Sequence, residues 1–340
     1  MLAESRKAFS VVAQLIKGNR EKIDYLANKL IESPPQTVCT VARGSSDHAA
    51  SFFAYLVMAR LGCWVTSLPM SLITMENAPL SGKGVAVFAF SQSGRSPDLI
   101  APMEFFRRDG AITAAFVNVE DSPLASAAEH TIPLCAGKEQ SVAATKSFIA
   151  QLAAGAQLVA HWSRDEALIA ALPELGPALQ IAVEIDWSSA LSTLTSVDRL
   201  FVIGRGAGLA IAQEAALKFK ETCGIQAEAF SGAEVKHGPM ALIEEGYPLL
   251  IFAPRGPSQA GLIHLATEMR ERGARVLLAA PIDDAVAGVI VDLPIVAAPH
   301  PLLDPICAIQ SFYPLVEALA RARGRNPDEP RFLSKVTLTR

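Results

Sequence analysis

The sequence has few of the features that mark secreted, metal-dependent or nucleic-acid-binding proteins. Its five cysteines are far apart and include no C-x-x-C pair. This spacing argues against a disulfide framework or a zinc ribbon and predicts reduced thiols in a cytoplasmic protein. The six histidines show no H-x-x-x-H spacing, so we expect no metal ion. Because 30 Lys and Arg residues against 34 Asp and Glu residues leave a net charge of −4, we expect no nucleic-acid partner.

Long hydrophobic runs are also missing. The richest apolar stretches are interrupted by Gln, Gly, Pro or charged residues well before the roughly 18 to 20 residues that a membrane-spanning helix needs. The first residues carry charges at helical spacing instead of the continuous apolar segment of a signal peptide. We therefore expect no membrane partner and no export.

The chain is long enough, at 340 residues, for about two domains. Short apolar runs of strand length alternate with longer helical patterns, which is typical of parallel sheets covered by helices on both faces. Five candidate strands fall in the first half, near Thr37–Ala42, Cys63–Thr66, Val85–Phe90, Ile112–Val117 and Thr131–Leu134. Five more fall in the second half, near Arg199–Ile203, Ile225–Glu228, Pro248–Ala253, Arg275–Ala280 and Val289–Leu293. The pattern predicts an α/β protein with two five-stranded parallel sheets.

The two halves are related by a nearly constant offset. Gly44 follows the first candidate strand and Gly206 follows the sixth, 162 residues later. Gly110 and Gly273 precede the fourth and ninth candidate strands and are 163 residues apart. An offset of this size indicates duplication of a whole domain. We predict four parts: a helical segment over residues 1–36, a first domain over 37–172, a second domain over 173–325, and a tail over 326–340.

Two turns in the first half have the chemistry of a phosphate site. Arg43-Gly44-Ser45-Ser46 follows the first strand, and the segment SQSGRS, residues 91–96, follows the third. Both concentrate hydroxyl groups and backbone N–H donors at a helix N-terminus, beyond the carboxyl ends of parallel strands where ligands bind. The alternative is that these serines only cap helices, as Ser96 before Pro97 would. Neither turn is a P-loop or a complete dinucleotide fingerprint, so nucleotide binding has little support.

The acid–base candidates lie in the second half. Glu214, Lys218 and Glu221 are spaced i, i+4 and i+7 on a helical pattern and so share one face. The alternative for this face is an ordinary solvated Glu–Lys pair. His237 stands beside a Gly-Pro turn, where it could act as a general acid or base near pH 7 or be a plain surface residue.

Six segments carry a resemblance to a known family: Ser91-Gln92-Ser93-Gly94, Val142-Ala143-Ala144-Thr145-Lys146, Glu214 to Glu221, Ala227-Glu228-Ala229-Phe230, Lys236-His237-Gly238-Pro239 and Pro330-Arg331-Phe332-Leu333-Ser334-Lys335. In their order along the chain and in their residues, these segments are similar to the sugar isomerase (SIS) domain family, and the resemblance covers the chain from about Thr37 onward. The resemblance is to the tandem-SIS isomerase half of glucosamine-6-phosphate synthase, and in the tail to stand-alone SIS-type glucosamine-6-phosphate deaminases. It implies two doubly wound, flavodoxin-like, three-layer α/β/α domains.

The resemblance also implies roles for individual residues. The sugar phosphate would be held by Ser46, Ser91, Gln92, Ser93 and Ser96. The sugar itself would be lined by Val142, Ala144 and Ser334. The tail would close over the active site, and no cofactor would be needed.

Four further residues would carry the chemistry by the same resemblance. Glu221 would move a proton between C1 and C2, while Lys218 would stabilise the charge that develops on the enolate-like intermediate. His237 would assist ring opening from the partner subunit of a homodimer with a composite active site. Lys335 would lie beside the C2 oxygen or nitrogen of the sugar. Aldose–ketose interconversion requires such a base, such cations and a phosphate grip.

The sequence also departs from the synthase pattern. Ala144 stands where the synthase has a serine and Arg95 where it has a glutamate, and no glutaminase-like segment precedes residue 37. We therefore expect no internal ammonia source. The leading hypothesis is a deaminase/isomerase that converts glucosamine 6-phosphate and water into fructose 6-phosphate and ammonia. The alternatives are a deglycase or isomerase for another phosphosugar, such as a fructosamine phosphate, and a non-catalytic sugar-phosphate sensor.

Overall fold

The structure is a computed structural model, and it describes residues 1–282 and 286–335. In these ranges the first half contains five strands: β1 (Thr37–Val41), β2 (Trp64–Ser67), β3 (Val85–Ser91), β4 (Ile112–Val117) and β5 (His130–Pro133). The second half contains five more: β6 (Arg199–Gly204), β7 (Gln226–Ser231), β8 (Pro248–Phe252), β9 (Arg275–Pro281) and β10 (Leu293–Ile295).

Helices alternate with these strands along the described chain. They are α1 (Leu2–Ser5), α2 (Ala8–Gly18), α3 (Arg20–Glu32), α4 (Ser45–Leu61), α5 (Ser71–Thr74), α6 (Pro97–Arg108), α7 (Pro123–Ala127), α8 (Lys146–Ser163), α9 (Glu166–Ala171), α10 (Leu175–Ala182), α11 (Leu191–Leu194), α12 (Ala207–Lys218), α13 (Gln259–Glu271) and α14 (Asp304–Ala322). Short 3₁₀ and π turns connect several of them.

The strands form two parallel sheets with the same topology. The first has the order β2-β1-β3-β4-β5, and the second has the order β7-β6-β8-β9-β10. Both are the flavodoxin-like order: the second strand lies on one side of the first strand, and the remaining three strands follow on its other side. The predicted fold class, with two five-stranded parallel sheets, is confirmed.

The duplication extends to backbone conformation. Gly44 is the N-cap of α4, with φ 56° and ψ −134°, and Gly206 is the N-cap of α12, with φ 60° and ψ −136°. These are regions that only glycine enters without a steric penalty. The two glycines are the pair from which the 162-residue offset was measured.

By contact clustering the described chain divides into two compact units, each made of separate segments. The β1–β5 unit comprises Ser10–Glu139, Lys146–Pro173 and the described residues from Ser334 on. The β6–β10 unit comprises Met1–Phe9, Gln140–Thr145 and Glu174–Leu333. The four-part division expected from the sequence stays a prediction.

Each unit has three layers because alternate residues of its strands point to opposite faces. In the β1–β5 unit, Val87 and Ala89 pack in one core with Leu99 and Met103 of α6. On the other face, the rings of Phe88 and Phe90 contact Phe53 of α4.

The β6–β10 unit is built in the same way. Leu249 and Ile251 of β8 pack with Leu262 of α13. On the other face, Phe252 contacts Phe312 of α14, with ring centroids 6.4 Å apart.

The last strand differs from the sequence expectation. We expected it near Val289–Leu293, but β10 begins at Leu293 and pairs with β9 through Leu293, Pro294 and Ile295. Val289 and Val291 are partly buried against the core of their unit without joining the sheet. Side-chain burial therefore made a loop segment resemble a strand.

In the part of the chain that the structure describes, no helix is long and apolar enough to cross a membrane. All five cysteines are free thiols.

Candidate active site

The turn after β3 is shaped by its own hydrogen bonds. The Ser91 hydroxyl accepts from the Gly94 N–H at 3.0 Å, and the Ser93 hydroxyl accepts from the Arg95 N–H at 3.4 Å. Gly94 has φ +63°, and a Cβ there would lie 2.1 Å from the Ser122 hydroxyl oxygen. Only glycine fits this position, so the turn is closely packed on its inner side.

Its outer side presents polar groups. Gln92, Ser93 and Ser96 are half-buried, and Ser91 is buried. Ser96 occupies the N-cap position of α6, with Pro97 following, but its side chain makes no capping hydrogen bond. The capping alternative therefore does not account for the Ser96 hydroxyl.

The turn after β1 belongs to the same unit. α4 is capped by Gly44, so the alternative that Ser45 or Ser46 is the cap is wrong. The half-buried Ser46 hydroxyl accepts from the Gln151 side-chain amide of α8 at 2.9 Å. Because β1 and β3 are adjacent strands, both turns leave the sheet at the switch point where ligands bind in this topology.

An ion pair links the turn after β1 to α6. Arg43 contacts the Asp98 carboxylate of α6 at 3.4 Å, and the Asp98 side chain is 4% exposed whereas that of Arg43 is 56% exposed. The β1–β5 unit thus brings together the five residues expected to hold a phosphate, at an edge that also carries the exposed guanidinium groups of Arg43 and Arg95.

In the β6–β10 unit, a buried ammonium lies between two carboxylates. The Nζ of Lys218 is 3.1 Å from Glu214 Oε1 and 2.6 Å from Glu221 Oε2. The side chains of Glu214 and Lys218 are 0% exposed, and that of Glu221 is 20% exposed. The solvated-face alternative is wrong, because two of the three charges are excluded from water.

The electrostatics of this cluster favour the charged lysine. Burial alone would lower the pKa of Lys218, but the carboxylates of Glu214 and Glu221 outweigh it and raise the pKa above its ordinary value. The cluster is therefore an ammonium held by two acids, only one of which reaches the surface.

A π-helical turn, Phe219–Cys223, carries Glu221 just beyond α12. Phe219, Thr222 and Cys223 point inward and are buried. Phe219 packs edge-on against Phe312, and the Thr222 hydroxyl donates to the Lys218 carbonyl at 2.7 Å. Turns of this kind are rare and occur often at functional sites, and the sequence spacing gave no sign of one.

His237 follows β7 and a 3₁₀ turn over Glu234–Lys236. Its backbone N–H donates to the Glu234 carbonyl at 2.9 Å, and Gly238 follows with φ +133°. The residue is exposed. An exposed imidazole on a well-defined turn is available to a group outside its own chain.

The residues expected to line the sugar divide between the units. Val142 and Ala144 lie in the Gln140–Thr145 segment of the β6–β10 unit, and both are half-buried. The Val142 N–H donates to the Asp328 carbonyl at 3.2 Å. Ser334 is exposed in the β1–β5 unit.

Lys335 also belongs to the β1–β5 unit, where its Nζ lies 3.1 Å from Oε2 of Glu139. Sequence reasoning missed Glu139. No periodicity marks it, because it lies in a loop before α8, and only its burial in the folded unit distinguishes it.

Other features lie apart from these residues. A cavity of about 460 Å³ in the β1–β5 unit is lined by residues that include Ile16, Gln157 and Leu172, and by none of the expected site residues. Among the described residues, no group of three or more His, Cys, Asp or Glu side chains could hold a metal ion.

Comparison with known families gives two matches to one model. The model for the SIS domain matches residues 31–161 and 193–322. Each matched range contains one of the two parallel sheets.

Individual relatives extend this finding. A glutamine–fructose-6-phosphate aminotransferase (isomerizing) from Thermococcus kodakarensis is 32% identical over 349 residues, covering 98% of this chain and 57% of the relative. The chain thus spans somewhat over half the length of the curated relatives it matches.

Solved structures show the same similarity. A protein from Silicibacter pomeroyi DSS-3, described as a candidate phosphosugar isomerase, is 40% identical with a TM-score of 0.90, covering 96% of this chain and 99% of that one. A glucosamine-6-phosphate deaminase from Thermotoga maritima shares the fold, with a TM-score of 0.74 at 20% identity and coverage of 97% and 100%.

Proposed function

The chain belongs to the SIS domain family, and on that premise we propose that it is a phosphosugar deaminase/isomerase that converts glucosamine 6-phosphate and water into fructose 6-phosphate and ammonia. The observation that carries the proposal is the buried Lys218 with its two carboxylates, of which Glu221 alone is partly exposed. A sensor needs only to grip the phosphate. Burial of a charged cluster of this kind is energetically costly. Such clusters are found preferentially at functional sites.

The phosphate is assigned to the β1–β5 unit. Its two turns offer hydroxyls, the Gln92 amide and backbone N–H groups at the N-termini of α4 and α6. A helix N-terminus favours a phosphate because its N–H groups have no partner within the helix and its dipole is positive there.

Proton transfer is assigned to Glu221. With the pyranose open, its carboxylate removes the C2 proton of the aminoaldose to give an enolamine, and then returns a proton to C1. The Lys218 ammonium at 2.6 Å orients that carboxylate and offsets the negative charge that develops on the substrate.

The remaining steps need a proton donor and water. His237 delivers a proton to the ring oxygen during opening. The family resemblance implies that it does so in the site of a partner subunit of a homodimer, and its exposure is compatible with that role. The C2 imine then adds water near Lys335. Ammonia leaves, and water supplies the ketone oxygen of fructose 6-phosphate.

The choice of sugar draws on the relatives. The Thermococcus kodakarensis aminotransferase acts by its name on fructose 6-phosphate and is 32% identical over nearly the whole of this chain. The proposed deamination is the reverse of the amination of fructose 6-phosphate by ammonia: water is consumed and ammonia is released. The reaction needs no cofactor, and the five free thiols fit the expected cytoplasmic location.

The test is ammonia release from glucosamine 6-phosphate by the purified protein, with fructose 6-phosphate measured in parallel. We expect equal amounts of both products from the wild-type protein and none from Glu221→Gln. Glu271→Gln, which changes an exposed glutamate at the end of α13, is the matched control and keeps full activity.

A second substrate class, a fructosamine phosphate, is supported by Arg95. This exposed cation stands in the phosphate turn where the synthase pattern has a glutamate. Turnover of a fructosamine phosphate without turnover of glucosamine 6-phosphate would select that alternative. If sugar phosphates raise the melting temperature and no substrate is turned over, the protein is a sensor.

A further inference from the structure

Glu139 is a buried carboxylate to which the proposed reaction gives no part. It lies in the loop between β5 and α8, and its side chain is 0% exposed. A carboxylate in such a position is stable only when it is hydrogen-bonded and paired. Its partners therefore show what it does.

The first partner is Ser147, in the first turn of α8. The Ser147 hydroxyl donates to Glu139 Oε2 at 2.6 Å, and the Ser147 N–H donates to Oε1 at 3.3 Å. Both oxygens are thus fixed to a buried helix N-terminus, where the helix dipole favours a negative charge. The carboxylate cannot turn without breaking these bonds.

The second partner is Lys335. Its Nζ lies 3.1 Å from the same Oε2 atom, and its side chain is 25% exposed. The ammonium therefore lies against a fixed buried anion, and the side chain that carries it reaches the surface. Glu139, Ser147 and Lys335 all belong to the β1–β5 unit.

We propose that Glu139 is the positioning residue for Lys335. This inference rests on the proposed function, because it takes Lys335 as the group beside C2 of the sugar. A lysine on a flexible four-carbon stem samples many rotamers. A carboxylate locked by Ser147 restricts the Nζ atom to one place and so sets its distance from the substrate.

The position of Nζ can be measured without substrate. Trypsin cleaves after Lys335 only when that side chain leaves Glu139 and enters the protease. In Glu139→Gln the charge is lost at nearly constant shape, so we expect cleavage after Lys335 to accelerate at least about fivefold relative to cleavage after Arg164. Glu139→Asp keeps the negative charge, and Ser147→Ala keeps Glu139 but removes the hydroxyl that fixes its carboxylate. For both variants the rate of cleavage after Lys335 should therefore lie between the rates of wild type and Glu139→Gln.

The catalytic consequence is measured with glucosamine 6-phosphate. We expect Glu139→Gln to lower kcat at least about tenfold while KM stays within about twofold, because the group that is displaced acts on the reacting atoms and not on the phosphate. Glu139→Asp should recover part of kcat. Glu271→Gln is again the control, and circular dichroism establishes that each variant is folded.

The outcomes separate the two proposals. If ammonia is released normally and both cleavage after Lys335 and kcat are unchanged in Glu139→Gln and Ser147→Ala, the positioning role is wrong. If Glu139→Gln frees Lys335 from protection and wild-type protein releases no ammonia, Glu139 does position Lys335 and the proposed function is wrong.

Discussion

The Lys218 ammonium lies 2.6 Å from the Glu221 carboxylate, although the two residues stand on different kinds of helix. Lys218 ends α12, and Glu221 lies on the π-helical turn that follows. The turn keeps the lysine wholly buried and leaves the carboxylate 20% exposed. The positive charge of Lys218 is thus buried inside the unit, and the carboxylate that it contacts reaches the surface.

The two carboxylates of this cluster should have separable roles. Glu214→Gln removes the fully buried partner while Lys218 keeps Glu221, so we expect a loss of about 1 to 3 kcal/mol in the free energy of unfolding. Glu221→Gln should cost less stability because its side chain reaches solvent. Urea unfolding of both variants beside Glu271→Gln measures this, and equal losses for Glu214→Gln and Glu221→Gln would contradict it.

The raised pKa of Lys218 fixes the pH dependence of that loss. A lysine whose pKa is higher in the folded state stabilises the fold fully below its unfolded value, and the contribution is lost as pH rises through the folded pKa. The difference in stability between wild type and Glu214→Gln should therefore stay constant from about pH 6 to about pH 9 and shrink only above the ordinary lysine value of 10.5. A difference that disappears near pH 8 would mean that Lys218 is not held charged.

Gly94→Ala should destroy the phosphate site. The new methyl group would meet the Ser122 hydroxyl at 2.1 Å and would force a residue with a Cβ into φ +63°. We expect the affinity for fructose 6-phosphate to fall more than about tenfold, because the N–H groups of the turn are displaced together. Calorimetry measures the affinity, with Ser51→Ala on the exposed face of α4 as the control. Unchanged affinity would place the phosphate elsewhere.

Each chain should bind one phosphosugar, although the fold is duplicated. Arg255 stands 162 residues after Ser93, in the turn that follows β8. There the Arg255 N–H donates to the Asp304 carboxylate at 3.0 Å, and the Arg255 side chain also pairs with that carboxylate, which is 0% exposed. An internal carboxylate thus takes the N–H group at the position that corresponds to the phosphate turn.

Titration of the protein with fructose 6-phosphate should therefore give one site per chain, and Ser93→Ala should weaken that single site. Two equivalent sites per chain would show that the turn after β8 also binds phosphate.

A composite active site predicts complementation between inactive variants. Glu221→Gln and His237→Ala should each lack activity as homodimers. If His237 acts in the site of the partner subunit, a mixed dimer has one site with both residues intact and one site with neither. Mixing the two proteins under conditions of subunit exchange should restore activity. No recovery would place His237 and Glu221 of the same chain in one site.

The fold was accessible from the sequence because the central strands, such as β3, β4, β8 and β9, are buried almost throughout and read as apolar runs. Eight of the ten predicted strands lie within one residue of those in the structure. β7 ends three residues later than predicted, and β10 was displaced, where the valines before it are buried without pairing. The duplicated glycines at positions 44 and 206 were also visible, since their conformation demands glycine.

The site was only partly accessible. Residue types at strand ends predict a phosphate turn, which stays a prediction, and spacing could not tell a solvated Glu–Lys pair from the buried cluster at Lys218. That distinction depends on packing around α12 and on the π turn, which are tertiary properties. Glu139 carries no local signal at all, because its role comes from contacts with Ser147 and with Lys335, which lies 196 residues away.

Proton transfer by Glu221 is the central claim, and hydrogen exchange into the sugar measures it most directly. Fructose 6-phosphate and an ammonium salt, which together re-form the C2 imine, are incubated in D₂O with the protein, and deuterium at C1 is followed by NMR. The account predicts exchange by wild type and by Glu271→Gln, and exchange slower by a factor of about 10² to 10⁴ in Glu221→Gln, with the affinity for the sugar phosphate unchanged. Exchange at the wild-type rate in Glu221→Gln would contradict it.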